Sequence, residues 1–508
     1  MKKFNNFNFY IKMKKIYFII ILLFPLISFS QGYKIEVEIE GIENDTLILG
    51  YYMKDQKFVK DSIVLDKNGK GVFKGEEKLF KGLYWLYNKK TFVDLLITEN
   101  QVFSLKTKSK KPIENMSVKN SHQNEIFYKY SEFSFSKRKE SQEIRKKYKD
   151  AKTKSDTTAI VESLKKINQE VEDYQKNILK ENKNTFLNTF VKGTIAPEMP
   201  EVSAEQKEKN PFFQYIEYKK HFWDNINFSD VGILRTPFFY NKIVYFMDKV
   251  VQQRIDSMEF IIRDINELVK KAQADSNVFR FVLPVVLTHY EKSDKMGLDR
   301  MKVNLYETFY LSGQVPWADD EMLKKMKERS LRLKPNFIGN IAPDIKVVEY
   351  DCDLPNYIRH ECEPISLLQI KAKYTILLFW TTDCSHCRTE VPKINEVYKE
   401  LKKENIDVVV FSLSTMNPEL NDDNTVNEEK TLKKREKWLN FIQKKDLYDW
   451  INVYDLYHFS NYRDLYDISS TPVIYLLDEK KEIIAKRIGH DVIKDFIHFL
   501  EKKDKTIK

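Results

Sequence analysis

An uncharged strand-like run, Tyr374-Thr375-Ile376-Leu377-Leu378-Phe379-Trp380, leads through Thr381-Thr382-Asp383 into Cys384-Ser385-His386-Cys387. A helical pattern then continues through Lys402. A strand without internal charge is buried on both faces, which calls for a parallel or mixed sheet with helices on either side. The cysteines fall where strand becomes helix. There Cys384 meets the free N–H groups and positive end of the helix, which favour thiolate over thiol, and Cys387 follows one turn later within reach of the first sulfur. Half of a zinc site has the same Cys-x-x-Cys spacing; the strand before and the helix after are what favour thiol chemistry. His386, between the two, would stabilise the thiolate further through its imidazolium charge or ring dipole.

What such a pair can do depends on its compartment. Lys14-Lys15 precedes an apolar run over residues 16–29, with Ser28 and Ser30 at the small-residue positions ahead of Gln31. This is the pattern of a secretory signal peptide over residues 1–30, with Met13 a better start than Met1. Pro25 interrupts the run, which falls short of the ~20 apolar residues of a membrane span. The expectation is an exported protein of the periplasm or cell envelope, with membrane association as a variant and no stable span after cleavage. In an oxidising compartment a cysteine pair can persist as a disulfide. Cys352 and Cys362 bracket nine residues with a turn at 353–357, and a structural disulfide across a hairpin is the first expectation for them. Free thiols, a second redox pair, or a zinc site using all four cysteines are the alternatives. The net charge of +10 is spread as Lys mixed with Glu and Asp, and no basic block is long enough for a nucleic-acid arm.

At 508 residues the chain is too long for one core. Residues 33–108 alternate with period two, placing Ile35, Val37 and Ile39 on one face, and turn signals such as Asp66-Lys67-Asn68-Gly69 separate the runs. An antiparallel β-sandwich-like domain is expected over 31–110. Lys/Glu-rich helical spacing follows at 141–152 and 156–180. Apolar-rich segments come next, at 238–272, entered through Pro237, and at 276–311; together these imply an α-helical domain over 111–335. Its histidines His122, His221 and His289 have no partner at metal-ligand spacing. Residues 336–508 alternate strands at 374–380, 408–414, 473–477 and 482–487 with helices, a charged insertion at 421–445 and a closing helix at 492–502, an α/β pattern around a mixed sheet. Neither a metal nor an organic cofactor is expected.

Phe379-Trp380-Thr381-Thr382-Asp383-Cys384-Ser385-His386-Cys387-Arg388-Thr389-Glu390-Val391-Pro392 resembles the thioredoxin-like fold, most closely the exported TlpA/ResA branch of the redoxin (AhpC/TSA) superfamily. Ile341-Ala342-Pro343-Asp344 is similar to the segment that opens these domains. Pro392 matches the proline that kinks their active-site helix, and Ile468-Ser469-Ser470-Thr471-Pro472-Val473 matches the loop holding their cis-proline. The resemblance covers roughly residues 335–505; the regions before it are more weakly similar to extensions found ahead of such domains in exported proteins of Bacteroidetes-type bacteria. It implies thiol–disulfide exchange in which Cys384 attacks and Cys387 resolves, with the Cys384–Cys387 disulfide in place of a cofactor. It further implies that Thr471, Pro472 and Trp380 contact substrate and that Glu390, three residues past Cys387, accepts the proton of Cys387. Exported proteins would be the substrates and a membrane protein the redox partner. Two departures stand out: Leu378 where thioredoxin has a buried Asp, and Asp383 where it has Trp. Other readings are a thiol peroxidase and a binding or scaffold protein with an accessory redox domain. The peroxidase reading rests on Thr381-Thr382-Asp383-Cys384, which holds the T-x-x-C half of that motif but has Leu377 where the motif needs Pro.

Overall fold

The computed structural model describes residues 32–148, 153–251, 257–293, 295–352 and 362–507. The segment read as a signal peptide and the turn at 353–357 lie outside them. The period-two alternation near the start becomes β1 (Tyr33–Glu40), with Ile35, Val37 and Ile39 buried. It is followed by β2 (Thr46–Met53), β3 (Gln56–Val64), β4 (Lys70–Gly75), β5 (Gly82–Asn88), β6 (Thr91–Ile97), β7 (Val102–Lys108) and β8 (Ser117–Lys119). These strands form two four-stranded sheets, ordered β4-β1-β7-β8 and β3-β2-β5-β6. Pairing is antiparallel except between β1 and β7, where Lys34 lies opposite Val102 and Glu40 opposite Lys108 in parallel register. The chain builds the whole second sheet between those two strands, so β7 returns beside β1 running the same way. Asn124, buried on the helix His122–Tyr148, exchanges two 2.8 Å hydrogen bonds with the backbone N–H and C=O of Leu96, tying that helix to β6.

Helices follow, with departures from the expected spans: the first begins at His122 rather than 141, and the segment expected over 276–311 divides into Ser276–Glu291, Asp299–Leu305 and a π-helical turn at Tyr306–Tyr310. Pro237 opens Pro237–Tyr245, but the expected continuation to 272 stops at a π-helical turn, Phe246–Val250, where the Val251 N–H reaches back to the Phe246 carbonyl at 2.8 Å. A separate helix then covers Met258–Ala272. The described residues divide into two compact units. One holds those up to Val251 with Leu268–Val282, and the other holds those from 257 to Glu267 with those from Leu283 onward. The helical middle is therefore shared between the units.

The second unit carries a seven-stranded mixed sheet. Its strands are β9 (Lys346–Glu349), β10 (Ile365–Ser366), β11 (Tyr374–Trp380), β12 (Val408–Ser414), β13 (Ile451–Tyr454), β14 (Val473–Leu477) and β15 (Ile483–Lys486), in the order β10-β9-β13-β12-β11-β14-β15. β11 pairs parallel with β12 and antiparallel with β14 and is buried along its whole length. Because side chains alternate across a strand, Ile376, Leu378 and Trp380 enter one core, with Val391, Ile394 and Ile497. Leu377 and Phe379 enter the other, with Phe411, Leu413 and Tyr462. That double burial is the reason the run contains no charge. The charged insertion is no appendage, since its helix Glu428–Lys445 buries Trp438 and Ile442 in the first of these cores.

Candidate active site

β11 ends at Trp380, and its continuation turns so that Cys384 becomes the N-cap of the helix Ser385–Lys403, in extended conformation (φ −87°, ψ 120°). The Cys384 Sγ accepts a 3.3 Å hydrogen bond from the Cys387 N–H, taking the place of the Ser or Asp oxygen that more often caps a helix. The Arg388 guanidinium donates to the Thr382 carbonyl at 2.7 Å, and the Thr415 N–H donates to the Trp380 carbonyl at 2.7 Å, so the turn is held from both sides. From the neighbouring strand comes the loop ahead of β14. Its Thr471–Pro472 peptide is cis, and the Thr471 carbonyl accepts from the Cys384 thiol at 3.3 Å. Both cysteines are free thiols here, with Cys384 partly exposed and Cys387 fully buried.

These surroundings separate the two thiols. Burial pushes Cys384 up, but hydrogen bonds from the Cys387 thiol, the Cys387 N–H, the Thr471 side chain and the His386 N–H outweigh it and hold Cys384 below an ordinary cysteine. Burial pushes Cys387 up, to about 11, with the neighbouring Cys384 adding to the effect. A low-pKa, accessible sulfur beside a high-pKa, buried one is the division of labour that attack and resolution require.

The other sequence-predicted residues fall into three groups. Thr471 and Pro472 lie against Cys384. His386 contributes its backbone N–H to the Cys384 environment while its ring sits on the exposed face of the helix. Trp380 must be corrected. It is fully buried, its indole Nε1 donates to the Ser412 Oγ at 2.8 Å, and a side chain with no exposed surface cannot contact a substrate. Its role is to fix the end of β11 against β12.

Glu390 points from the active-site helix toward the closing helix His490–Ile507, where its Oε2 lies 2.6 Å from His490 Nδ1; its Oε1 accepts from Lys393 at 3.3 Å. Burial pushes its carboxyl up, but the hydrogen bond and charge of His490, joined by Lys393, hold it below the usual carboxylate range. Sequence reading missed His490, since nothing local links residues 100 positions apart. It also missed what surrounds Asp383. Lys434 and Lys437 of the helix Glu428–Lys445 stand 3.5 and 3.8 Å from that carboxylate, offsetting the negative charge beside Cys384. Cys352 and Cys362 are joined as a disulfide with Cα atoms 6.1 Å apart, and the Cys352 carbonyl accepts from Tyr454 Oη at 2.6 Å and from Arg435 at 2.8 Å. Among the described residues no group of three or more His, Cys, Asp or Glu is placed to hold a metal ion, and no helix is long and apolar enough to cross a membrane.

Comparison with known proteins matches three segments of the chain. Residues 338–486 match the AhpC/TSA family, residues 33–127 a domain of unknown function (DUF4369) and residues 138–332 another (DUF5106). The thiol-disulfide oxidoreductase ResA of Oceanobacillus iheyensis is 26% identical over 76 residues, covering 15% of this chain and 36% of that protein. ResA of Bacillus thuringiensis is 31% identical over 61 residues, 12% of this chain and 35% of that one. The chain thus spans about a third of the length of the curated relatives it matches. Among solved structures, a thioredoxin-like protein from Bacteroides caccae aligns at TM-score 0.44 and 19% identity, over 59% of this chain and 98% of that one. A domain of a possible thiol-disulfide isomerase from Cytophaga hutchinsonii aligns at TM-score 0.26 and 32% identity, over 34% and 97%. With its mixed sheet, its Cys-x-x-Cys helix cap and its cis-proline loop, the segment 338–486 matches the AhpC/TSA family, has a thioredoxin-like fold and is similar to ResA, and it follows two segments that match domains of unknown function.

Proposed function

We propose that this chain is an exported thiol-disulfide oxidoreductase that reduces disulfides of periplasmic or envelope proteins through Cys384 and Cys387. The observation that carries the reading is the placement of the two thiols: Cys384 caps the helix, partly exposed beside the cis Thr471–Pro472 peptide and accepting from the Cys387 N–H at 3.3 Å, while Cys387 is buried one turn deeper. In the cycle the Cys384 thiolate attacks one sulfur of a substrate disulfide. A Cys384–substrate disulfide forms and the first substrate thiolate leaves. Cys387, having lost its proton, then attacks the Cys384 sulfur, releasing the second substrate thiolate and closing Cys384–Cys387. Two electrons pass to the substrate, so a membrane redox partner must return two electrons to the enzyme for each turnover. Thr471 and Pro472 would present backbone to the substrate chain beside Cys384. Export rests on the basic, apolar and small-residue pattern of residues 14–30, and the reducing direction on the resemblance to the TlpA/ResA branch.

Cys384→Ala should bring insulin reduction and the repair of scrambled ribonuclease to the uncatalysed background. Undiminished activity in that variant rejects the assignment. Leu377, where a peroxidase motif would need proline, sits in the middle of β11 paired with Phe411 and Tyr475 on its two sides, and nothing in the site favours peroxide chemistry over exchange.

A further inference from the structure

Beside Cys384 a cavity of about 240 Å³ opens, walled by Thr381 and Asp383 just before the cysteine, Ser470 and Thr471 just before the cis-proline, and the side chains of Lys434 and Arg463. One wall thus runs directly into Cys384, and another is the loop whose Thr471 carbonyl contacts the Cys384 sulfur. The volume is below the roughly 300 Å³ at which cofactor- and drug-sized sites begin, and it suits one amino-acid side chain. Its charge is not balanced. Asp383 is matched by Lys434 and Lys437, and Lys434 also holds Glu419 at 2.5 Å. Arg463 has no carboxylate within ion-pair distance among the described residues. Its Nη2 donates to the Thr415 carbonyl and to Asn417 Oδ1, both at 3.0 Å, and its Nε lies 3.4 Å from His458 Nε2. Burial and the Arg463 charge hold His458 below its ordinary pKa, favouring the neutral ring, which offers Arg463 no counter-charge. The nearby Asp455 is taken up by the N–H groups of Phe459 and Ser460 and by the Ser460 hydroxyl. Among the described residues the Arg463 Nε and Nη2 face His458, Thr415 and Asn417, and the guanidinium also lies 5.4 Å from the Tyr462 ring centre and interacts with its hydroxyl, so all these partners are neutral.

We propose that this cavity is a specificity site for a carboxylate close to the substrate cysteine, with Arg463 as its anchor. The site rests on the exchange reading above and deepens it. When Cys384 is joined to a substrate sulfur, an Asp or Glu side chain next to the substrate cysteine reaches Arg463 and gives the guanidinium the charge-assisted partner that its neutral neighbours do not supply. Arg463 binds and does not take part in bond making. Exposed ion pairs are worth up to roughly fivefold in equilibrium or rate and desolvated ones more, so a preference on the order of fivefold is expected for a half-open cavity.

The test uses the reduced full-length protein and matched pairs of disulfide-linked peptides differing only in Glu or Gln beside the cysteine. Second-order rates of Cys384 oxidation are followed by tryptophan fluorescence. The wild type should prefer Glu by about fivefold at low salt, the preference shrinking as ionic strength rises. Arg463→Gln should bring the Glu-to-Gln ratio to about one, and Arg463→Lys should restore part of it. The ratio within one protein cancels any general loss of fold or activity. Equal rates for the two wild-type peptides, or a ratio unmoved in Arg463→Gln, overturn the specificity site while leaving the exchange reading standing. Failure of the wild type to react with any peptide disulfide overturns the exchange reading itself. A preference for a small dicarboxylate disulfide over its diamide, with none among the peptides, overturns the assignment to a protein side chain.

Discussion

At the scale of single residues the site works by giving two chemically identical side chains different environments. Cys384 is a helix cap and partly exposed; Cys387 is one turn deeper with no exposed surface. The consequence for pH is direct. Alkylation of Cys384 by iodoacetamide should rise with pH and level off below the range of a free thiol, because the folded environment favours its deprotonated form. The Cys387 thiol should become reactive only toward about pH 11. Mass spectrometry of each cysteine against pH checks both midpoints; a single midpoint shared by the two would show that the hydrogen bonds to Cys384 do not act. The motif and its helix were legible because they are local. The loss of Trp380 from the substrate surface was not, because a tryptophan ahead of a Cys-x-x-Cys gives no indication of whether it faces solvent or core until β12 and its Ser412 are in place.

At the scale of elements, the charged run read as an insertion is a working part of the redox domain. The helix Glu428–Lys445 has an outward face rich in Lys and Glu, which is what the sequence shows, and buries Trp438 within a core shared with β11. From that anchor it sets Lys434 and Lys437 over Asp383. Trp438→Ala removes a fully buried indole and should cost about 3–5 kcal/mol of the stability of this unit, measured by urea unfolding. A loss below about 1 kcal/mol would mean that the helix is peripheral after all. β13 escaped sequence reading for a related reason. Four residues, Ile451–Tyr454, are too few to show a period, and they become a strand only because β12 and β9 lie ready on either side.

At the scale of the whole molecule, the helical residues of the second unit are part of the redox domain's own support. The Lys486 ammonium on β15 is buried and pairs with Asp299, and it also donates to the Asn336 carbonyl at 2.5 Å. Arg329 and Arg487 both bind Asp467, just ahead of the cis-proline loop. Asp299→Asn leaves the Lys486 charge buried with its main partner weakened and should destabilise the unit by up to about 3–5 kcal/mol in urea unfolding. Replacing both partners together, with Lys486→Met and Asp299→Leu, should cost much less. Equal losses in the two variants would show that Lys486 is already served by water. The sequence by itself determined the periodic elements and the cysteine motif: alternating strands at the start, helical spacing in the middle, and an uncharged strand running into two cysteines at a helix start. These are properties of neighbours within a few positions, where periodicity and capping act. Only the tertiary structure decided which distant segments meet. The Glu390–His490 pair, the two lysines on Asp383, the parallel return of β7 beside β1 and the contacts of Arg463 with Thr415 and Asn417 all depend on segments far apart in the chain. Such contacts leave no local pattern, because the free energy that brings them together comes from burying the cores of the sheets rather than from the residues that meet.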